Sequence, residues 1–159
     1  MSVTVRAATP GDVGGMMRMV RALAAYEREA DAVVATEEML AAALFRPDPR
    51  LFAHVALMDG RVVGMAVWFL NFSTWTGRHG LYVEDLYVDG DARRHGVARA
   101  LFEALAREAR ARDCARIDWA VLGWNEEAKR FYRRIGGRAM SDWEPWRLDG
   151  EALARLGTG

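Results

Sequence analysis

Leu81-Tyr82-Val83-Glu84-Asp85-Leu86-Tyr87-Val88, then Asp89-Gly90-Asp91-Ala92-Arg93-Arg94-His95-Gly96, then Val97-Ala98-Arg99, is the stretch that decides the fold. Its first eight residues are apolar or aromatic apart from one acid pair, the pattern of a buried strand. The next eight are charged, with two glycines and three basic residues, the pattern of a loop. From Val97 to Arg112, Leu101, Leu105 and Ala109 recur along one side of a long helix. Ala115 to Val121 follows as a second strand, so the unit is a β-α-β crossover with a parallel strand pair.

The chain before this unit reads as a strand at Val3–Ala7 and a helix that starts at Thr9-Pro10-Gly11-Asp12. Thr9 suits the cap, Pro10 the first helical position and Asp12 the positive dipole end. Val13, Met16, Met17, Val20, Leu23 and Ala24 give that helix an apolar stripe. Thr36-Glu37-Glu38 starts a second helix, closed by Pro47 and Pro49. Leu51–Leu57 and Val62–Leu70 are strands joined through Asp59-Gly60, a pair that accepts the positive φ of a tight hairpin. Asn71–Gly80 reads as a polar loop holding Trp75. After the crossover, Asn125 caps a short helix running to Ile135, and Gly136-Gly137 ends it. Arg138–Leu148 reads as a strand pair or one broken strand, and Glu151–Leu156 as a last helical turn. The order β-α-α-β-β-β-α-β-α-β describes a single α/β domain over residues 1–159, with a mixed central sheet flanked by helices.

Composition bounds the partners. The 159 residues include 22 Lys and Arg against 22 Asp and Glu, and this zero net charge argues against a general nucleic-acid binder. Cys114 is the one cysteine, so no internal disulfide can form and a reducing, cytoplasmic setting is expected. His54, His79 and His95 are scattered without zinc-ligand spacing, and no metal is expected. The longest apolar run, Met65–Leu70, is far too short for a bilayer, so no membrane partner is expected.

Chemistry concentrates around Arg93-Arg94-His95-Gly96-Val97-Ala98. Glycine lets a ligand approach the backbone, and a helix start offers unpaired N–H groups to a phosphate. Arg93, Arg94 and Arg99 add positive charge, and the stretch reads either as a pyrophosphate cradle or as a charged cap. A P-loop is excluded, because no Gly-Lys-Ser/Thr stands at the helix start. A dinucleotide fingerprint is excluded by its glycine spacing and its place on a first strand. Glu84 and Asp85 sit on the strand just ahead. Strict alternation puts Tyr82, Glu84, Leu86 and Val88 on one face and Leu81, Val83, Asp85 and Tyr87 on the other, unless a bulge intervenes.

Arg93-x-x-Gly96-x-Ala98 resembles the Arg/Gln-x-x-Gly-x-Gly/Ala hallmark of the GNAT acetyltransferase superfamily, and the element order resembles that family over essentially the whole chain. Asn125, Ala128 and Phe131-Tyr132 resemble its second motif. Ser73-Thr74-Trp75-x-Gly77-Arg78, Leu81-Tyr82-Val83-Glu84-Asp85 and Ala120-Val121-Leu122-x-Trp124-Asn125 are similar to the spermidine/spermine (diamine) acetyltransferase group, nearest its thialysine branch. The resemblance implies an acetyl-CoA-dependent N-acetyltransferase of a small-molecule primary amine, and a homodimer. It implies Glu84 as base and Tyr132 as acid. It places Leu86, Tyr87, Val88, Arg93, Arg94, His95, Gly96, Val97, Ala98, Arg99, Asn125 and Ala128 at the cofactor, and Trp75, Glu84 and Asp85 at the substrate. Residue chemistry adds Glu144 to the substrate as a second negative contact and Trp146 as an aromatic wall, since a tryptophan face attracts ammonium; ordinary packing is the other reading of Trp146. Read without the family, Phe131-Tyr132 suits a core, Asn125 a helix cap, His95 an exposed loop, and Glu144 a solvated acid.

Polyamine-type members carry an acid ahead of the loop tryptophan, where this chain has Ser73-Thr74. That favours thialysine, a lysine-like compound or a short diamine over the polyamines spermine and spermidine. A protein or peptide N-acetyltransferase and a noncatalytic acyl-CoA sensor are the alternatives; a sensor has no need of Glu84, Asp85 and Tyr132 together.

Overall fold

A computed structural model describes residues 2–159, and the chain forms two compact units, one ending at Gly123 and one beginning at Trp124. The first holds β1 (Val3–Ala7), α1 (Val13–Tyr26), α2 (Glu37–Leu44), β2 (Phe52–Met58), β3 (Arg61–Ser73), β4 (Arg78–Val88), α3 (Val97–Ala111) and β5 (Ile117–Trp119). The second holds α4 (Glu126–Arg134) and α5 (Gly150–Gly157).

The sheet runs β1-β2-β3-β4-β5 in chain order, antiparallel throughout except for the parallel β4–β5 pair. The mixed sheet expected from sequence is therefore present. Each face carries its own core. Val97, Leu101, Leu105 and Ala109 of α3 pack on Ala56, Val63, Ala66, Trp68, Leu81, Val83 and Val88. Met16 and Met19 of α1 and Leu44 of α2 pack on Ala53, Val55, Met65 and Val67. Side chains alternate across a strand, so consecutive β3 residues feed opposite cores.

Local chemistry explains the element ends. The Asp12 carboxylate accepts from the Thr9 N–H at 2.7 Å and from its hydroxyl at 3.1 Å, fixing the entry to α1. Thr36 Oγ1 accepts from the Met39 N–H at 3.2 Å and caps α2. Asp59 and Gly60 both have positive φ, 52° and 76°, as a tight two-residue hairpin demands.

Three expectations are corrected. Asn71–Gly80 is not a polar loop: β3 and β4 continue pairing through Asn71↔Gly80, Phe72↔His79 and Ser73↔Arg78, which leaves a turn at 74–77. Asn and Ser read as breakers in sequence, but here they sit in a two-stranded extension. The strand expected at Ala115–Val121 shrinks to Ile117–Trp119, because its partner β4 bulges just beyond the last pair, Val83↔Trp119. Arg138–Leu148 forms no strand, and Asp142 and Pro145 break its alternation. The order thus ends in α5, a helix of eight residues where one turn was expected, rather than in a strand.

Candidate active site

The acid pair lies at an irregularity of the sheet. On β4, Asp85 pairs with Val67 and Val83 with Trp68, so Glu84 is an extra residue without a partner on β3. This bulge resets the alternation. Val83 and Val88, on opposite faces in a regular strand, both enter the core under α3. Strict alternation of Glu84 with Leu86 and Val88, and of Val83 with Asp85, is therefore corrected. Asp85 shares Val67's face, toward α1, as does Tyr87.

The two acids differ in environment. Glu84 is exposed and Asp85 is half-buried. Burial, followed by the like charges of Glu84 and Glu27, pushes the Asp85 carboxyl up to about 6. Burial likewise raises Glu27, at the end of α1. Tyr82 is raised by burial and then by Glu84 and Asp118. A carboxyl that titrates near neutrality is suited to exchange a proton or to take up a cation.

The bulge also opens an edge. Pairing of β4 with β5 covers only Leu81–Val83, whereas β4 runs on to Val88. From Glu84 on, the side of β4 that faced β5 has no strand against it among the described residues. An open edge of this kind can hydrogen-bond an extended ligand by its main chain.

That edge leads into the loop before α3. Gly96 caps the helix at φ 79°, a left-handed conformation that favours glycine, and no side chain caps it. The first helical bond runs from the Ala100 N–H to the Gly96 carbonyl at 2.9 Å. The N–H groups of Val97, Ala98 and Arg99 thus precede the ladder, the arrangement that binds phosphate. Arg94 and His95 are exposed, and Arg94 also has positive φ, 67°. Arg93 turns back instead: its Nε donates to the Val88 carbonyl at 3.3 Å and its guanidinium lies 5.0 Å from the centre of the Tyr26 ring. Arg99 Nε donates to Glu103 at 3.1 Å, one turn along α3. Close approach also matters at Gly64, where a Cβ would stand 2.9 Å from the Tyr87 carbonyl and 3.1 Å from Val97 Cγ1. This glycine lets the start of α3 settle on β3.

Within the second unit, Asn125 Oδ1 accepts from the Ala128 N–H at 3.2 Å and caps α4. Tyr132 is half-buried one turn past Ala128, with Phe131 at 5.7 Å between ring centres. Glu144 and Trp146 lie in the irregular segment before α5. Trp75 occupies the β3–β4 turn and is exposed. Six steps along the strand lead from Arg78 to Glu84, about 20 Å at the usual rise, so the hairpin carries Trp75 away from the acid pair. Cys114 is half-buried against the core under α3, and burial raises its thiol. Among the described residues, no three His, Cys, Asp or Glu side chains gather as a metal site would require.

Reading by motif missed three features. Glu27 is brought to the electrostatic reach of Asp85 by the end of α1, a long-range contact with no local signal. Asp89, inside the quoted stretch, is buried and bound by Arg18 of α1. His54 is buried too, its Nδ1 accepting from Trp68 Nε1 at 3.0 Å. A lone acid at a strand end and a histidine within an apolar run are the signals that could have flagged the last two.

Comparison with known proteins agrees with this architecture. The model of the acetyltransferase (GNAT) family matches residues 17–137. Thialysine N-epsilon-acetyltransferase of Sus scrofa is 36% identical, over 98% of this chain and 97% of that protein. L-ornithine N5-acetyltransferase of Arabidopsis thaliana is 27% identical, over 96% of this chain and 86% of that protein. Among solved structures, an integron cassette protein from the mobile metagenome of V. cholerae superposes with a TM-score of 0.79 at 26% identity, covering 100% of this chain and 99% of its own.

Proposed function

The chain belongs to the acetyltransferase (GNAT) family, and from that premise we propose that it transfers acetyl from acetyl-CoA to a primary amine of a small molecule. The observation that carries the proposal is the opening of β4 at Glu84. One bulge places an acid pair at the head of an unpaired strand edge, and that edge leads to an uncapped helix start.

The residues present fit the cosubstrate. The main chain of Leu86 and Val88 on the open edge would hold the pantetheine arm, Tyr87 between them turning its own main chain to β3, and the N–H groups from Gly96 to Arg99 would hold the pyrophosphate. Arg94 and His95 would add contacts from the loop, and Asn125 and Ala128 are assigned to the arm on the resemblance. Acetyl-CoA supplies an activated acyl group at a thioester carbonyl. Arg93, braced on Val88 and Tyr26, would shape the loop rather than reach outward.

An alkylammonium titrates near 10 and must lose a proton before it attacks. Glu84, exposed at the bulge, takes that proton directly or through a water. Asp85 offers a counter-charge to the cation, and a bound cation would lower its raised pKa. Tyr132 is assigned to protonate the departing thiolate. Holding both substrates together removes the need for a covalent enzyme intermediate. A second reading exchanges the acids: the Asp85 carboxyl, at about 6, sits nearer the value expected of a base at neutral pH.

The acceptor we infer is thialysine, a lysine-like or ornithine-like amino acid, or a short diamine. The relatives named for thialysine and ornithine support this. So does Ser73-Thr74, which offers no carboxylate ahead of Trp75 for a longer polycation. Trp75 as a substrate contact and a homodimer rest on the resemblance; Glu144 and Trp146 as substrate contacts, one domain across both units and a cytoplasmic place rest on the reading of the sequence itself. The test is CoA thiol release with thialysine, lysine, ornithine, putrescine, spermidine, spermine and a lysine peptide. Fast release with the short amines and little with spermine is expected. Release with the peptide alone would make the protein a peptide acetyltransferase. Acetyl-CoA binding without release for any amine would make it a sensor.

A further inference from the structure

Asp89 is the first residue after β4 and the first of the loop that ends at Gly96. It is 8% exposed, one of two buried polar residues on the chain's described part. A buried carboxylate needs partners, and α1 and β3 hold this residue between them. Arg18 of α1 grips it with two bonds, Nη1 to Oδ1 at 3.0 Å and Nη2 to Oδ2 at 3.1 Å. Arg61, the first residue of β3, lies 3.9 Å from Oδ2. The Asp89 N–H donates to the Val63 carbonyl at 2.8 Å. Val63 is itself the extra residue of a second bulge, between Ala56↔Gly64 and Leu57↔Val62.

The grip extends into the loop. The Ala92 N–H donates to the Asp89 carbonyl at 2.9 Å, and Arg61 Nη2 bonds Asp91 at 3.0 Å. Further along, Arg93 lies over the ring of Tyr26, two turns down α1 from Arg18. Helix α1 therefore braces the loop at both its entrance and its middle. The charges matter as much as the geometry. Two carboxylates in a loop that receives a pyrophosphate would repel it, and Arg18 and Arg61 offset both.

We propose that Arg18 and Arg61, acting through Asp89 and Asp91, are positioning residues that set the geometry and neutralise the charge of the pyrophosphate-binding loop. The proposal rests on the acetyl-CoA reading above. It assigns these arginines no contact with either substrate, so their effect passes only through the loop.

The test compares two acetyl donors on the full chain: acetyl-CoA, and S-acetylpantetheine, which lacks the pyrophosphate. Arg18→Gln should raise KM and Kd for acetyl-CoA by between about tenfold and a hundredfold, the scale of a displaced binding group. The kcat should stay within about twofold, as expected when ground-state and transition-state binding fall together. For S-acetylpantetheine, kcat/KM should not change. Adding Asp89→Asn to Arg18→Gln removes the orphaned charge and should recover part of the lost affinity. Arg61→Gln, at an exposed arginine, should give a smaller shift with the same donor split. It also serves as the test if Arg18→Gln fails to fold. Equal losses with both donors, or no loss with either, would overturn the proposal. If wild type transfers from acetyl-CoA and Arg18→Gln matches it, only this inference falls. If wild type binds no acetyl-CoA, the functional reading falls with it.

Discussion

Gly64→Ala is a one-carbon change remote from both acids, yet it should disturb the site. The added Cβ would stand 2.9 Å from the Tyr87 carbonyl and 3.1 Å from Val97 Cγ1, with Leu101 Cδ1 at 3.5 Å. The carbonyl cannot retreat freely, because β3 and β4 are paired there through Met65↔Tyr87 and Gly64↔Val88. Val97 is 2% exposed and is the first residue of α3, so it yields only if the helix start shifts. Overpacking of this kind costs about 1–3 kcal/mol, and the entropy Gly→Ala removes from the unfolded chain returns about 0.4–1 kcal/mol. A net loss of about 1–2 kcal/mol follows, a fall of roughly 0.5–1 M in the urea midpoint at an m-value of about 2 kcal/mol/M. Urea titration by far-UV circular dichroism would measure it. Calorimetric titration with acetyl-CoA should show weaker binding, because the displaced element is the helix start that we assign to the pyrophosphate. An unchanged or raised midpoint would refute the steric reasoning. A lowered midpoint with unchanged acetyl-CoA affinity would refute the link between this contact and the loop.

Three other outcomes are expected. Glu84→Gln should lower kcat/KM by about a hundredfold or more if Glu84 is the base, whereas Asp85→Asn should remove the ionisation near pH 6 from the pH–rate profile; a reversed pattern would make Asp85 the base. Gly96→Ala should strain the left-handed cap by about 1–2 kcal/mol, while Gly96→Asn should relieve much of that; if thermal melts show the recovery but acetyl-CoA affinity does not return, glycine is needed for ligand approach as well as for φ. His54 has its pKa lowered, first by burial, against the opposing pull of Glu108 at 3.7 Å and with help from Arg107 and Arg112. The unfolded chain therefore takes up a proton that the folded one resists, and stability should fall as pH drops below about 6.5. Asp85 and Glu27, raised by burial, pull the other way, since their stability is lost as pH rises. Urea midpoints of His54→Gln, which can still accept from Trp68, should fall less steeply with acid than wild type.

Much of this was legible because it is local. The Thr36 and Asn125 caps, the Asp59-Gly60 turn and the run of α3 are each written within a few residues. What sequence reading missed depends on partners far along the chain. The extension of β3 and β4 past Leu70 rests on cross-strand pairing between residues that are breakers in isolation. The Arg18–Asp89 pair spans 71 positions, and nothing around Arg18 distinguishes it from any exposed helix arginine. The acid pair itself stood out, but its setting did not.

That setting turns on one residue. Counting along Leu81–Val88 by twos puts Glu84 under α3 with Leu86 and Val88, and Asp85 with Val83. The apolar residues then conflict, since Val83 and Val88 need the same core. Residues five positions apart face opposite sides of a regular strand; one inserted residue brings both to the same core. Glu84 is the residue that costs least to leave out of the ladder, because its side chain belongs in water. The bulge thus satisfies the core first. Its other effects, an exposed Glu84, a half-buried Asp85 and the loss of β5 as partner beyond Val83, follow from the same displacement. Packing demand and chemical opportunity meet at this position, and moving the bulge by one residue would bury the wrong acid.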